Sequence, residues 1–149
     1  CIRDSTIGEL IADGHHVLPA ACSVLIKQKT PQNVALITDC MSAGGRPDGD
    51  YMLGELPVIV ENGTARLKEG GNLAGSILQL KDGVKHVVDW GLVTVAQALQ
   101  MASHVPAKSV GLENVCGSLK AGLAADFIVL DDSLELQATF IDGRKAWEK

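Results

Sequence analysis

The stretch Val34-Ala35-Leu36-Ile37-Thr38-Asp39 decides how the rest of the chain is read. Five residues of strand-forming type run without polar alternation and end in a carboxylate. Such a run predicts a strand covered on both faces, the usual state of a strand in a parallel sheet, where alternation is lost. Upstream, residues 7–12 (IGELIA) form a second short apolar strand that stops at Asp13-Gly14, a turn signal. Between the two strands, residues 19–26 are expected to form a helix. Pro19 suits its first turn, and Ala20, Ala21, Val24 and Leu25 are expected to make its apolar side. Pro31 breaks the chain behind it. Strand, helix, strand in this order is a βα unit and predicts an α/β sheet or barrel.

Downstream of Asp39 the pattern changes. Residues 41–50 are rich in Gly, Asp and Pro and read as a loop. Residues 58–60 and 64–67 flank Glu61-Asn62-Gly63, and Asn-Gly between apolar runs is a strong hairpin cue. A hairpin insertion over about residues 51–67 is therefore expected. A helix should begin near Ser76, with Ile77, Leu80, Val84, Val87 and Val88 at helical spacing and Gly91 at its C-cap. Thr94 and Gln97 make a capping box for a second helix carrying Val95, Ala98, Leu99 and Ala102, with Pro106 beyond it. From Gly117 onward the pattern is β: residues 127–130, then residues 134–141 with Leu134, Leu136, Ala138 and Phe140 on one side, then a final Asp142-Gly143 turn. A domain change is placed at residues 110–115.

Composition limits function. The 149 residues suffice for one compact domain, and 46% hydrophobic with 21% charged residues is ordinary for a globular protein. A net charge of −5 without a basic run argues against a nucleic-acid or anionic-membrane partner. No apolar stretch is long enough to span a bilayer, and no secretory pattern opens the chain. Cys1 stands first instead of Met, so the start of translation is expected upstream. Cys1, Cys22, Cys40 and Cys116 form no CxxC pair and read as small apolar core residues, reduced in a cytoplasmic protein.

Asp39 is the main candidate for chemistry. In a (β/α)8 barrel the C-terminal strand ends make the active-site face, and a carboxylate there can move a proton between water and a leaving amine. An Asp that only caps the following turn would look the same. His15 and His16 follow the other strand end. One could face a site, or both could be ordinary loop residues. His86, His104, Trp90 and Trp147 read as structural, and Met41, Met52 and Met101 as core or loop. The chain has no HxH, HExxH or cysteine cluster, so no complete metal site can be assembled from it.

Several stretches together resemble one family. LIADGHHV (residues 10–17), ALITDCM (35–41), GRPDGDYMLG (45–54) and NLAGSIL (72–78) resemble, in family order, elements of the N-acetylglucosamine-6-phosphate deacetylases. Cys40 replaces the usual Ala. The tail GSLKAGLAADFIVLD (117–131) is similar to a pattern widespread in the amidohydrolase superfamily. The resemblance implies the C-terminal part of a metal-dependent amidohydrolase: residues 1–112 as the last strands and helices of a (β/α)8 barrel with an inserted hairpin, and residues 113–149 as strands of a small β-sandwich. It implies release of acetate from N-acetylglucosamine 6-phosphate, with Asp39 as catalytic base, then acid, and as a possible metal contact. His16 would meet the substrate, at its phosphate end, with Asp13, Gly14 and His15 beside it. Leu73, Ala74 and Gly75 would offer backbone groups to the substrate. A divalent metal, zinc or iron, would be held mostly by ligands outside this chain. The parent is expected to be a homodimer binding a small amino-sugar phosphate. Two rivals stay open: a different amidohydrolase of dihydroorotase or dipeptidase type, and an inactive fragment that only folds, associates or binds sugar phosphate.

Overall fold

A computed structural model describes residues 6–149. Cys1, expected as a core residue, lies outside the described residues. Strand β1 (Gly8–Ile11) and strand β2 (Val34–Ile37) pair in parallel, Gly8 opposite Val34 and Ile11 opposite Ile37. Val34, Ala35 and Leu36 are all buried, as a strand covered on both faces must be. Helix α1 (Pro19–Lys29) crosses between the two strands, and a 3-10 turn at Pro31–Asn33 feeds β2.

Helix α1 runs three residues beyond the expected Ile26, and its buried face is a different one. Cys22 and Ile26 are the buried residues, with Leu25 against the same core, while Ala20, Ala21 and Val24 are exposed. Apolar residues occupy most of this helix, so spacing alone did not single out the inward face.

The expected two-stranded insertion is a three-stranded antiparallel meander. Strand β3 (Gly49–Leu53) pairs with β4 (Leu56–Glu61), which pairs with β5 (Thr64–Leu67). The Asn62-Gly63 turn stands where it was expected, with both residues at positive φ. Val58, Val60 and Ala65 from the meander pack with Met41, Ala43 and Ala74 as a separate small core.

Residues 76–79 are not helical. Ser76 instead makes a parallel bridge to Cys40, with Met41 N–H donating to Ser76 O (2.9 Å) and Ser76 N–H to Asp39 O (2.8 Å). Ile77 accordingly packs on the meander core. Helix α2 (Leu80–Asp89) begins four residues later than predicted. It ends in a Schellman motif: Gly91 N–H bonds Val88 O and Leu92 N–H bonds Val87 O, with Gly91 at φ +67°.

Helix α3 (Val95–Ala102) has the predicted capping box, Thr94 Oγ1 accepting from Gln97 N–H and Gln97 Oε1 from Thr94 N–H. Its buried face is Ala98 and Met101. Val95 and Leu99, expected in the core, remain exposed beside β6. Pro106 lies inside a further short helix, α4 (His104–Ser109), in whose first turn its missing N–H costs nothing. Met101 is fully buried between α3 and the strand pair. Met101→Ala is expected to destabilise the fold by about 2–5 kcal/mol, read as a lower urea midpoint at unchanged slope.

The tail forms one antiparallel layer: β6 (Phe127–Leu130), β7 (Leu136–Ile141) and β8 (Arg144–Glu148). Leu134, read as the first residue of a strand, sits in a turn at φ +62° and packs on the first core. Phe127 and Phe140 stack across the strands at 4.5 Å. Among the described residues no second sheet covers this layer, so it is a single sheet and not yet a sandwich. Among the described residues no helix is long and apolar enough to cross a membrane.

Candidate active site

Parallel pairing brings the candidate residues to one edge. Ile11 and Ile37 are register partners, so Asp13 and Asp39 each follow the last paired residue of their strand by two positions at the same C-terminal end. The bridge between Cys40 and Ser76 adds residues 73–75 to that edge.

Asp39 is exposed and has φ +50°, a left-handed conformation uncommon outside glycine. Its carbonyl is held by Ser76 N–H, while Ser76 Oγ–H donates to Thr38 O and is itself buried. The backbone is thus anchored on both sides of the turn. Among the described residues the Asp39 carboxylate has no hydrogen-bond partner, so it is not the turn cap that the sequence also allowed. Gly75 lies against it: a Cβ at Gly75 would stand 3.2 Å from Asp39 O and 4.0 Å from Asp39 Oδ2.

Of the 73–75 segment, Gly75 is the residue that lies against Asp39. Ala74 is buried in the meander core and its N–H donates to Ala65 O, while Leu73 bridges Arg66.

The 13–16 loop is organised by a carboxylate. Asp13 Oδ1 accepts from the backbone N–H of His15 and of His16, both at 2.9 Å, and Oδ2 lies 2.7 Å from His16 Nδ1. A carboxylate only accepts, so His16 carries a proton on Nδ1 and is left with Nε2 for other partners. Gly14 turns the chain at φ +79°. His15 points elsewhere: the exposed ring stands against the meander turn, its Nε2 3.9 Å from where a Cβ of Gly63 would be.

Burial works against the charged form of Asp13. The His16 ring and the two backbone N–H groups outweigh it and hold the carboxyl below its ordinary value of 3.8. The folded state therefore releases this proton more readily than the unfolded chain. The stabilisation is complete above about pH 4 and is lost as pH falls through the depressed folded value. Asp13→Asn is expected to flatten the acid limb of stability. The urea midpoint followed from neutral to acid pH checks this, and an acid limb as steep as wild type would contradict it.

The remaining candidates divide. Cys22 is fully buried as expected. Cys40 is not a core residue: it is exposed at the strand end, its Sγ resting over Gly44, where no Cβ stands in the way. Cys116 is half-buried. His104 meets Ser118 (3.3 Å) away from the edge. His86, read as structural, reaches the site loop, with Nδ1 2.8 Å from Ala12 O and its ring stacked on Trp90 at 5.4 Å. The four-residue spacing of His86 and Trp90 on one helix was the available signal. Among the described residues no three His, Cys, Asp or Glu side chains converge as metal ligands.

Comparison with known proteins shows what the chain is similar to. The family model described as "Amidohydrolase family" matches residues 4–146. A curated Escherichia coli (strain K12) relative, a "Putative N-acetylgalactosamine-6-phosphate deacetylase", is 45% identical over 138 residues, covering 93% of this chain and 81% of that protein. The N-acetylglucosamine-6-phosphate deacetylase of Vibrio furnissii is 41% identical over 140 residues, covering 94% of this chain but 35% of its own length. The chain thus spans about a third of that relative. The crystal structure of N-acetylglucosamine-6-phosphate deacetylase from Thermotoga maritima superposes with a TM-score of 0.91 at 32% identity, over 98% of this chain and 40% of that one. A mutant Mycobacterium smegmatis enzyme in complex with N-acetyl-D-glucosamine-6-phosphate gives 0.87 at 33% identity, over 93% and 37%.

Proposed function

The chain belongs to the amidohydrolase family, and from that premise we propose that it is the C-terminal part of a deacetylase of N-acetylated amino-sugar 6-phosphates, with Asp39 as the proton carrier. The family is generally metal-dependent. In this reading residues 1–112 complete a (β/α)8 barrel with the meander inserted, and residues 113–149 contribute one layer of a small β-sandwich. A divalent metal, zinc or iron, would be held by ligands outside this segment. The parent would work as a cytoplasmic homodimer, a setting compatible with three free thiols among the described residues.

The observation that carries the reading is the Asp39 carboxylate. It has no hydrogen-bond partner among the described residues and is held at the C-terminal end of the parallel strand pair by a left-handed backbone, with a glycine beside it. Strain of this kind is retained where the surroundings enforce it, often at active sites. Asp39 would take a proton from the water that attacks the acetamide carbonyl. It would then deliver that proton to the amine nitrogen as the C–N bond breaks, leaving acetate and the free amino sugar phosphate. Gly75, lacking a Cβ, lets the turn that carries Asp39 sit close against it. His16, with Nδ1 committed to Asp13, would offer its Nε2 side to the phosphate.

A second substrate reading has its own support. The 45%-identical Escherichia coli relatives carry the N-acetylgalactosamine-6-phosphate name, so the sugar epimer is open. Hydrolysis by the full-length protein should be measured as acetate release from both sugar phosphates, as ring opening of dihydroorotate and as amide cleavage of a β-aspartyl dipeptide. Turnover confined to the last two would overturn the deacetylase reading. The isolated segment is expected to be inactive in the same assay.

A further inference from the structure

We propose that His86 and Trp90 of α2 are positioning residues for the Asp13–His16 pair, so that a helix outside the catalytic edge sets how the substrate's phosphate is received. This rests on the reading of His16 as the phosphate contact. The two rings hold the loop on either side of Asp13. Ala12 O can only accept, so His86 donates Nδ1–H to it across 2.8 Å. The His86 ring stacks on Trp90 at 5.4 Å with 20° between planes. The far edge of Trp90 lies against Gly14, its Cζ2 3.5 Å from where a Cβ would stand. Ala12 and Gly14 are the two chain neighbours of Asp13, whose carboxylate fixes His15 N–H, His16 N–H and His16 Nδ1.

The arrangement is not explained by packing alone. The core face of α2 is Val84 and Val87, both buried against the strand pair. His86 lies off that face, half-buried, and bonds the loop, while Trp90, half-buried at the helix end, packs against the same core and also reaches Gly14 of the loop. Among the described residues the 13–16 loop has no strand partner: Asp13 supplies its internal bonds, and His86 and Trp90 reach Ala12 and Gly14 on either side of it. A ring held through a short hydrogen-bonded chain is fixed in tautomer and direction, which is what recognition of a phosphate oxygen needs.

The test uses the full-length enzyme and three variants. His86→Phe keeps the ring and removes the donor. His86→Asn puts an amide N–H in the place of Nδ1–H. Trp90→Leu removes the stack and keeps an apolar side chain. His86→Phe and Trp90→Leu are expected to raise KM for the sugar 6-phosphate about tenfold or more with kcat changed less than about threefold. Their kcat/KM for the unphosphorylated N-acetylated sugar should stay near wild type, and His86→Asn should recover most of the lost affinity. An equal loss on both sugars, or an unchanged KM, overturns the proposal and leaves a structural pair.

Long-range ¹⁵N–¹H correlation of the His16 ring supplies a readout that needs no turnover. A single Nδ1–H tautomer is expected in wild type and a mixture in His86→Phe. Retention of the single tautomer in that variant overturns the positioning role. If wild type turns over neither sugar phosphate, the functional reading fails, and the His16 spectrum still decides whether α2 orients the ring.

Discussion

Asp39→Asn in the full-length protein is expected to cut kcat by about 10³-fold or more and to leave the fold almost untouched. The two halves of this expectation have separate causes. An amide is isosteric with the carboxylate but cannot accept the proton that the attacking water must lose, so the general-base contribution disappears. Stability survives for reasons visible at the site. The carboxylate is exposed and has no hydrogen-bond partner among the described residues, so nothing is orphaned by its loss. The backbone sits at φ +50°, where Asn is tolerated at least as well as Asp. Acetate release under saturating substrate, a thermal melt and metal content measured on one preparation separate the outcomes. A variant that retains turnover removes Asp39 from the mechanism. One that fails to fold would show that the side chain is a turn element after all.

What could be read in advance depended on whether the governing interaction was local. The run from Val34 to Ile37 is buried on both faces because a residue type repeated without alternation has no polar side to turn outward. The Thr94–Gln97 capping box and the Gly91 Schellman turn are bonds within a few residues, and both formed as spelled. The first two residues of β3, Gly49 and Asp50, were read as loop because they are poor strand formers, and pairing with β4 decides instead. Residues 76–79 have helical composition, yet Ser76 is claimed by the backbone of Asp39 across the edge. Strand β8 carries Arg144, Lys145 and Glu148 and is exposed on both faces, so no apolar alternation marks it.

The site follows the same division. Asp39 and Asp13 were legible as acidic residues at ends of apolar runs. Their common edge follows from a parallel register that the βα order implied. The support from His86 to Ala12 spans 74 residues, a distance over which periodicity and turn chemistry carry no information. The exposed faces of Val24, Val95 and Leu99 are a related case. Sequence pattern marks a face as apolar without saying whether its cover is supplied by this segment.

Gly75→Ala is the second change with a large expected effect, and it tests whether Asp39 is held in place by its neighbours. Gly75 has φ +67°, which costs a β-carbon residue roughly 1–2 kcal/mol. The new methyl would stand 3.2 Å from Asp39 O and 3.5 Å from Met41 Cβ. That oxygen already accepts from Ser76 N–H at 2.8 Å, so it cannot retreat without breaking the bond that closes the edge. The turn that carries the carboxylate must move. A displacement near 1 Å of a reacting group lowers kcat by about 10²-fold, whereas the melting temperature should fall by only about 2–8 °C. The double variant with Asp39→Asn separates the causes. If Gly75 acts by fixing Asp39, adding Gly75→Ala to Asp39→Asn should slow the residual reaction little further, because the group being displaced is already inert. A second full hundredfold loss would place the role of Gly75 in direct contact with substrate, and the strained turn would not be what aims the carboxylate.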